Sequence, residues 1–234
     1  MRLDKYACEA IDLTRNEAKK AIKKGCFTVD GEVITNPAFK VTADANVEYL
    51  EEQVETVGQR YIMMHKPIDT ICSTSDTEAY QSVISLMEID KPERLHIAGR
   101  LDADTTGLVL ITDDGKWSHR VTSPNYQCEK LYIVELAEPV LADEQLSMIE
   151  KVAVGIDLKS DDKPTLPAKL KFNSPQHCEL TIAEGRYHQV KRMFAALGNK
   201  VVGLHRAKIG ELGLDDELEP CEWRYLTDDE VALF

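Results

Sequence analysis

The hydrophobic period of this chain changes along its length. Leu3, Tyr6, Ala7, Ala10 and Ile11 recur at helical spacing and predict a first helix. Thr14-x-x-Glu17 follows, a capping-box pattern in which side chains satisfy free backbone N–H groups at a helix start. It announces a second helix with Ala18, Ala21 and Ile22 on its inner stripe. Lys19, Lys20, Lys23 and Lys24 fall on its outer side and last turn, and Gly25 is placed to cap its C-terminus. The period then shortens to two. Phe27 and Val29 alternate, Asp30-Gly31 makes a tight turn, and Val33-Ile34 begins a return strand. From Tyr49 to Gln59 the chain is polar and acidic around a lone Gly58, and reads as a linker.

From Arg60 the pattern is strand-rich. Tyr61 to Met64 is an apolar run, and Pro67 stops it just after His65-Lys66. Glu78 to Glu88 reads as a short helix. Gly99 and Gly107 bracket a polar loop, and Gly107 leads into a buried strand, Leu108 to Thr112. Glu129 to Val134 reads as a strand with Lys130 and Tyr132 on one face. A glycine turn at Glu184-Gly185 enters a basic helix that runs to Met193, and Leu204 to Gly210 is a basic strand.

Composition narrows the class. With 234 residues, 43% of them hydrophobic, the chain has enough core for one large domain or two ordinary ones. No apolar run approaches the ~18 residues of a membrane span. The N-terminus is broken by charges every few residues, unlike a signal peptide. Six scattered cysteines without a C-x-x-C pair suggest reduced thiols, so a cytoplasmic location away from membranes is expected.

A net charge of −13 argues against a nucleic-acid partner, and the distribution of charge reverses that impression. Residues 1–50 hold eight basic and eight acidic side chains, so the remaining 20 basic and 33 acidic residues carry the whole imbalance. Two basic islands stand out. Arg15, Lys19, Lys20, Lys23 and Lys24 face a single acid, Glu17. Arg186 to Lys208 holds six cations and no acid, while Ile209 to Phe234 holds nine acids and only Arg224. Contact with phosphates depends on potential within about 8–10 Å, so a net acidic protein can bind RNA through such patches.

The loop HIAGRLDADTTGLVLITDDG, residues 96–115, carries the candidate chemistry. Asp102, Asp104, Thr106, Gly107 and Asp113 fall at positions 1, 3, 5, 6 and 12 of a calcium-loop count. Position 12 lacks the bidentate Glu and a strand follows where a helix should, so no metal is expected. A tight turn bonded by Asp and Thr side chains is a second reading. A catalytic carboxylate is the third, because a loop feeding a rigid strand is a good mount for a reactive side chain. From the loop alone the tight turn is the favoured reading, because a lone Asp cannot be assigned a reaction without a partner from the rest of the domain. His188 and His205 lie in basic segments, which suits phosphate or neighbouring groups better than metal.

Residues 1 to about 45, through RLDKYACEA, TRNEAKKAIKKGCFTVDGEVI and Pro37 to Val41, resemble the S4-type RNA-binding domain. The resemblance implies that the basic helix lies against folded RNA, with Arg15, Lys19, Lys20, Lys23 and Lys24 at the basic positions. Further on, GRLDADTTGLVLITDDG, EKLYIV, EGRYHQVKRMFAALG and LHRAKIG occur in the order found in pseudouridine synthases of the small-subunit ribosomal type, the RsuA-like group. That resemblance runs from about residue 60 to 230. It implies an enzyme that breaks the N–C bond of a uridine in 16S rRNA, commonly uridine 516, and rejoins the base through carbon.

Several expectations follow from the resemblance. Asp102 is the catalytic aspartate and Tyr132 the tyrosine that packs on the target base. Lys191 falls where related subfamilies carry an arginine that pairs with the aspartate, with Arg192 adjacent and not separable from it by sequence. Arg100, Thr105 and Thr106 shape the aspartate loop. Arg186, His188, Gln189, Arg192 and Arg206 join them in the RNA-binding set. Related enzymes usually have a glycine soon after the Lys-Pro of the first motif. Here it reads His65-Lys66-Pro67-Ile68-Asp69, which bears on RNA contact more than on chemistry.

The fold expected is α+β. A small S4-like α/hairpin domain (1–48) and a linker (49–59) precede a larger domain (60–234) with a mixed, mainly antiparallel sheet flanked by helices. The partner expected is 16S rRNA or a small-subunit assembly intermediate, with the protein as a monomer. No redox or group transfer occurs in the reaction and no glycine-rich nucleotide motif is present, so no cofactor is expected. The competing expectation is a non-catalytic RNA-binding ribosome assembly factor on the same scaffold.

Overall fold

A computed structural model describes all 234 residues except Asp12, Val57 and Ser160. The chain divides into two compact units, Met1–Gln59 and Arg60–Phe234.

In the first unit, α1 (Leu3–Ile11) and α2 (Arg15–Lys23) precede four short strands: β1 (Phe27–Val29), β2 (Glu32–Val33), β3 (Val47–Tyr49) and β4 (Glu52–Gln53). The capping box is complete: Glu17 N–H donates to Thr14 Oγ1, and Thr14 N–H donates to Glu17 at 2.9 Å. Two of four orphan donors are thereby satisfied locally. Leu3, Ala7, Ala18, Ile22, Phe27, Val29, Val41 and Val47 form the core of this unit. Lys20, Lys23, Lys24 and Arg15 are exposed and Lys19 is half-buried, so α2 presents its cations to solvent. The strands run β2-β1-β3-β4, all antiparallel.

The stretch expected as a linker is therefore folded in its first half. Tyr49 pairs with Glu52 across a turn in which Leu50 and Glu51 both take positive φ, +53° and +69°. Tyr6 Oη also donates to Val54 O at 2.8 Å. A tight hairpin with two left-handed residues usually announces itself by Asn-Gly or Asp-Gly. Leu50-Glu51 carries no such signal.

The second unit runs in chain order through β5 (Tyr61–Lys66), β6 (Thr70–Ile71), β7 (Gln81–Ser82), β8 (His96–Ala98), β9 (Thr106–Thr112), α3 (Gly115–Thr122) and β10 (Lys130–Leu136). Then come α4 (Ala142–Val154), β11 (Lys169–Phe172), β12 (His177–Ile182), α5 (Gln189–Ala196), β13 (Val201–Ile209), β14 (Leu212–Gly213), β15 (Trp223–Tyr225) and α6 (Asp228–Val231). The main sheet has the order β11-β12-β10-β13-β9-β5-β15, with β8 and β14 attached to β9 and β13. Every pair in it is antiparallel except β13 and β9.

Both faces of the central strands are covered. Ile62, Met64, Val109 and Ile111 join one core, while Met63, Leu108 and Leu110 join another with Trp117 and Val121 of α3. Burial on two faces explains why β5 and β9 read as continuous apolar runs and not as alternating ones.

Glu78 to Glu88 is not a helix. It holds β7, paired in parallel with β6, and a run of turns. Ser82 N–H donates to the Asp76 carboxylate at 2.7 Å, and Ser82 Oγ bonds Ser73 O and the Ile84 N–H. Short polar side chains compete here with the helical ladder for backbone groups, and the alternative wins.

Candidate active site

The second unit contains a cavity of about 560 Å³. Its walls come from the loop before β9, the inward face of β10, the start of α5 and the middle of β13. The size falls within the usual range of about 300–1,000 Å³ for ligand sites.

Asp102 lines this cavity from the loop, and its turn is closed by Thr105 N–H donating to Asp102 O at 3.1 Å. The α5 helix delivers Lys191, whose Nζ lies 2.9 Å from Asp102 Oδ2 and 2.5 Å from Asp104 Oδ1. Burial pulls the Lys191 ammonium down, but hydrogen bonds and charge from Asp104 and Asp102 outweigh it and hold it above the usual lysine value. The hydrogen bond from Lys191 holds the Asp104 carboxyl below the usual carboxylate range. His188 stands at the N-terminal boundary of α5 with its Nε2 3.5 Å from Asp102 Oδ1. Tyr132 projects from β10 into the same cavity and is buried. Residues 102, 132, 188 and 191 are thus drawn together by three elements far apart in sequence.

Lysine and arginine at the adjacent positions have different partners. Arg192 points away from Asp102 and bonds the Asp161 carboxylate, Lys159 O and Tyr187 O. Arg186 meets the same Asp161 at 3.1 Å and adds Glu184, Lys163 O and Pro164 O. Gln189 is buried and bonds Glu184 and the Arg186 N–H. Arg206 is 2% exposed and donates to Leu108 O and Gly99 O, both at 2.8 Å.

Arg186, Gln189, Arg192 and Arg206 were expected on the RNA surface. Their polar groups are spent instead on clamping the walls of the site. Arg100 is the cation of that set that stays exposed at the cavity. Thr106 Oγ1 lies 2.9 Å from His205 Nδ1, away from the aspartate. Thr105 is buried, and among the described residues its Oγ1 is the buried side-chain polar atom with no hydrogen-bond partner.

The Lys66-Pro67 motif was expected to bear on RNA contact more than on chemistry. Lys66 is fully buried, and its Nζ donates to Pro67 O, Ala103 O and Thr105 O. It braces the loop on both sides of Asp104. Burial lowers its pKa, and nearby Cys72, Asp104 and Asp102 oppose that. The signal was available: Lys66 shares the inward alternation of Ile62 and Met64. Lys130, at the inward face of β10 with Tyr132, also lines the cavity, and burial lowers its pKa.

Comparison with known proteins decides the family. Residues 60–196 match the family model described as RNA pseudouridylate synthase. The chain belongs to that family. Residues 1–47 of this pseudouridylate synthase match the S4 domain model. A relative from Vibrio cholerae named "Ribosomal small subunit pseudouridine synthase A" is 52% identical, over 99% of this chain and 98% of its own. The protein of the same name from Escherichia coli K12 is 46% identical, over 99% of each chain. A solved structure titled "Crystal structure of pseudouridylate synthase" is 44% identical over all of both chains, with a TM-score of 0.69. This pseudouridylate synthase is accordingly an RNA isomerase, and no described helix is long and apolar enough to cross a membrane.

Proposed function

We propose that this enzyme isomerises one uridine of 16S rRNA, uridine 516, with Asp102 as the attacking carboxylate. The Asp102–Lys191 pair in the wall of a nucleotide-sized cavity carries this reading. Full-length relatives named for the small ribosomal subunit support its substrate.

A target uridine hides its glycosidic bond inside folded RNA. Extruding it costs a few kcal/mol, and stacking on an aromatic ring such as Tyr132 returns roughly 1–3 kcal/mol. Asp102 attacks the sugar C1′, an oxygen–C1′ bond forms as the bond from N1 to C1′ breaks, and the base reorients in the cavity. C5 then bonds to C1′ as the carboxylate oxygen leaves it with its electron pair, the C5 proton is lost and the base recovers a proton at N1. Atoms and electrons balance without an acceptor. A carboxylate suits a bond that must form and later release. The Lys191 ammonium, 2.9 Å from Asp102 Oδ2, places a cation beside the carboxylate where the substrate brings its phosphates.

The test is a pseudouridine map of 16S rRNA, free and within an assembly intermediate, incubated with and without the protein. A single new site at uridine 516 is expected. RNA binding with an unchanged map overturns the proposal and leaves the assembly-factor reading.

The cations of α2 supply the second contact in this proposal. Lys20→Glu combined with Lys23→Glu is expected to weaken RNA binding and to reduce the slope of log K against log salt by about 2. Titrations at several salt concentrations measure it, and an unchanged slope removes α2 from the interface.

A further inference from the structure

Tyr187 is the most exposed aromatic residue of the second unit's cavity rim, 76% accessible in a position that lines the cavity. Its ring is not adrift. It stacks on His188 with centroids 3.8 Å apart and planes 20° from parallel. His188 is in turn 3.5 Å from Asp102 Oδ1. One face of Tyr187 is covered by imidazole and the other is open.

The backbone beneath this pair is unusual. His188 takes φ +46°, a left-handed conformation that costs a non-glycine residue free energy and must be held by its surroundings. Arg192 does the holding: it donates to Tyr187 O while its other nitrogen bonds the Asp161 carboxylate. The left-handed step turns the two consecutive rings into one stack instead of sending them apart. No core is filled by this arrangement, since Tyr187 remains open to solvent. A rigid ring with one free face, one stacking layer away from the group that contacts the reactive carboxylate, fits a flat aromatic ligand.

We propose that the open face of Tyr187 receives the nucleobase next to the target uridine as that uridine enters the cavity. Extrusion of a nucleotide breaks the stack on both of its neighbours. The Tyr187 ring restores a partner to one of them, and base–aromatic stacking is tolerant of base identity. Tyr187 would thereby fix which nucleotide in the strand lies over Asp102. The inference rests on activity toward RNA and not on which RNA is modified.

The probe is a transcript spanning the uridine that the enzyme modifies in cellular RNA, so the test stands even if that uridine lies outside the small subunit. 2-Aminopurine, a fluorescent base dimmed by stacking, replaces the nucleotide 5′ or 3′ of the target. Tyr187→Ala is expected to weaken binding of the transcript about tenfold, and Tyr187→Phe to stay within about twofold of the parent. Fluorescence at one of the two positions is expected to be lower with the parent and Tyr187→Phe than with Tyr187→Ala. Because Tyr187 is exposed, both variants are expected to melt with the parent. An affinity or a fluorescence that Tyr187→Ala leaves unchanged overturns the proposal, as does a Tyr187→Phe variant that behaves like Tyr187→Ala.

Discussion

Asp102→Asn is expected to leave a folded protein that forms pseudouridine at least on the order of 10⁴-fold more slowly, since it removes the proposed nucleophile and keeps its shape. The substitution is nearly isosteric, and the Asp102 side chain is 32% exposed, so little packing is at stake. Lys191 is not orphaned, because Asp104 still accepts from it at 2.5 Å. A shift in melting of no more than about 2–4 °C is expected for a loss near 1 kcal/mol in a unit of this size. Asp104→Asn is the informative comparison. Both carboxylates grip the same lysine, yet Asp104 is 67% exposed and is not part of the cavity wall. Its amide variant is expected to lose less than about tenfold in rate, the scale of an exposed ion pair. Single-turnover pseudouridine formation on the mapped transcript measures both. A normal rate in Asp102→Asn would refute the assignment of the nucleophile.

Gly107→Ala is expected to destabilise the second unit strongly. Gly107 has φ +108°, a region closed to ordinary side chains. A Cβ built there would lie 2.3 Å from Arg206 O and 2.7 Å from Arg206 N. These are backbone atoms of the neighbouring strand in the parallel β9–β13 pair, and they cannot rotate away. On the other side Gly107 is paired with Lys66 of β5. Relief therefore requires parting the sheet where the aspartate loop enters it. Backbone strain plus lost pairing is expected to cost about 4 kcal/mol, which lowers the melting temperature by roughly 8–16 °C. Gly213→Ala is the control: nothing lies within 4 Å of its added Cβ, and a loss under about 1 kcal/mol is expected. Thermal unfolding of both variants gives the comparison, and equal melting would show that the strands yield.

What the sequence revealed depended on how local each cause was. The capping box of α2 and the inner stripe of Ala18 and Ile22 are settled within one turn of chain, and they were legible. So was the loop that ends at Gly107. The choice between Lys191 and Arg192 was not. Adjacent helical residues point about 100° apart, and only the pose of α5 against the loop selects one. The arginines misled for another reason. Arg206 bonds carbonyl oxygens at Leu108 and Gly99, about a hundred residues away, and carbonyls leave no mark in a sequence. Arg186 and Arg192 share Asp161, an acid in a stretch with no motif of its own. A basic island thus signals cations without saying whether RNA or the protein itself will use them.

The pairing of Gly107 with Arg206 also sets a timetable. The chemical centre needs β5, the aspartate loop, β10, α5 and finally β13, whereas the unit bearing the basic helix is complete by Gln59. Synthesis proceeds from the N-terminus at about 5–20 residues per second, so close to 150 residues separate the two events by roughly 7–30 s. A nascent chain would carry its basic helix well before it had a reaction centre. The growing protein thus carries its basic unit first and its reaction centre only about 150 residues later.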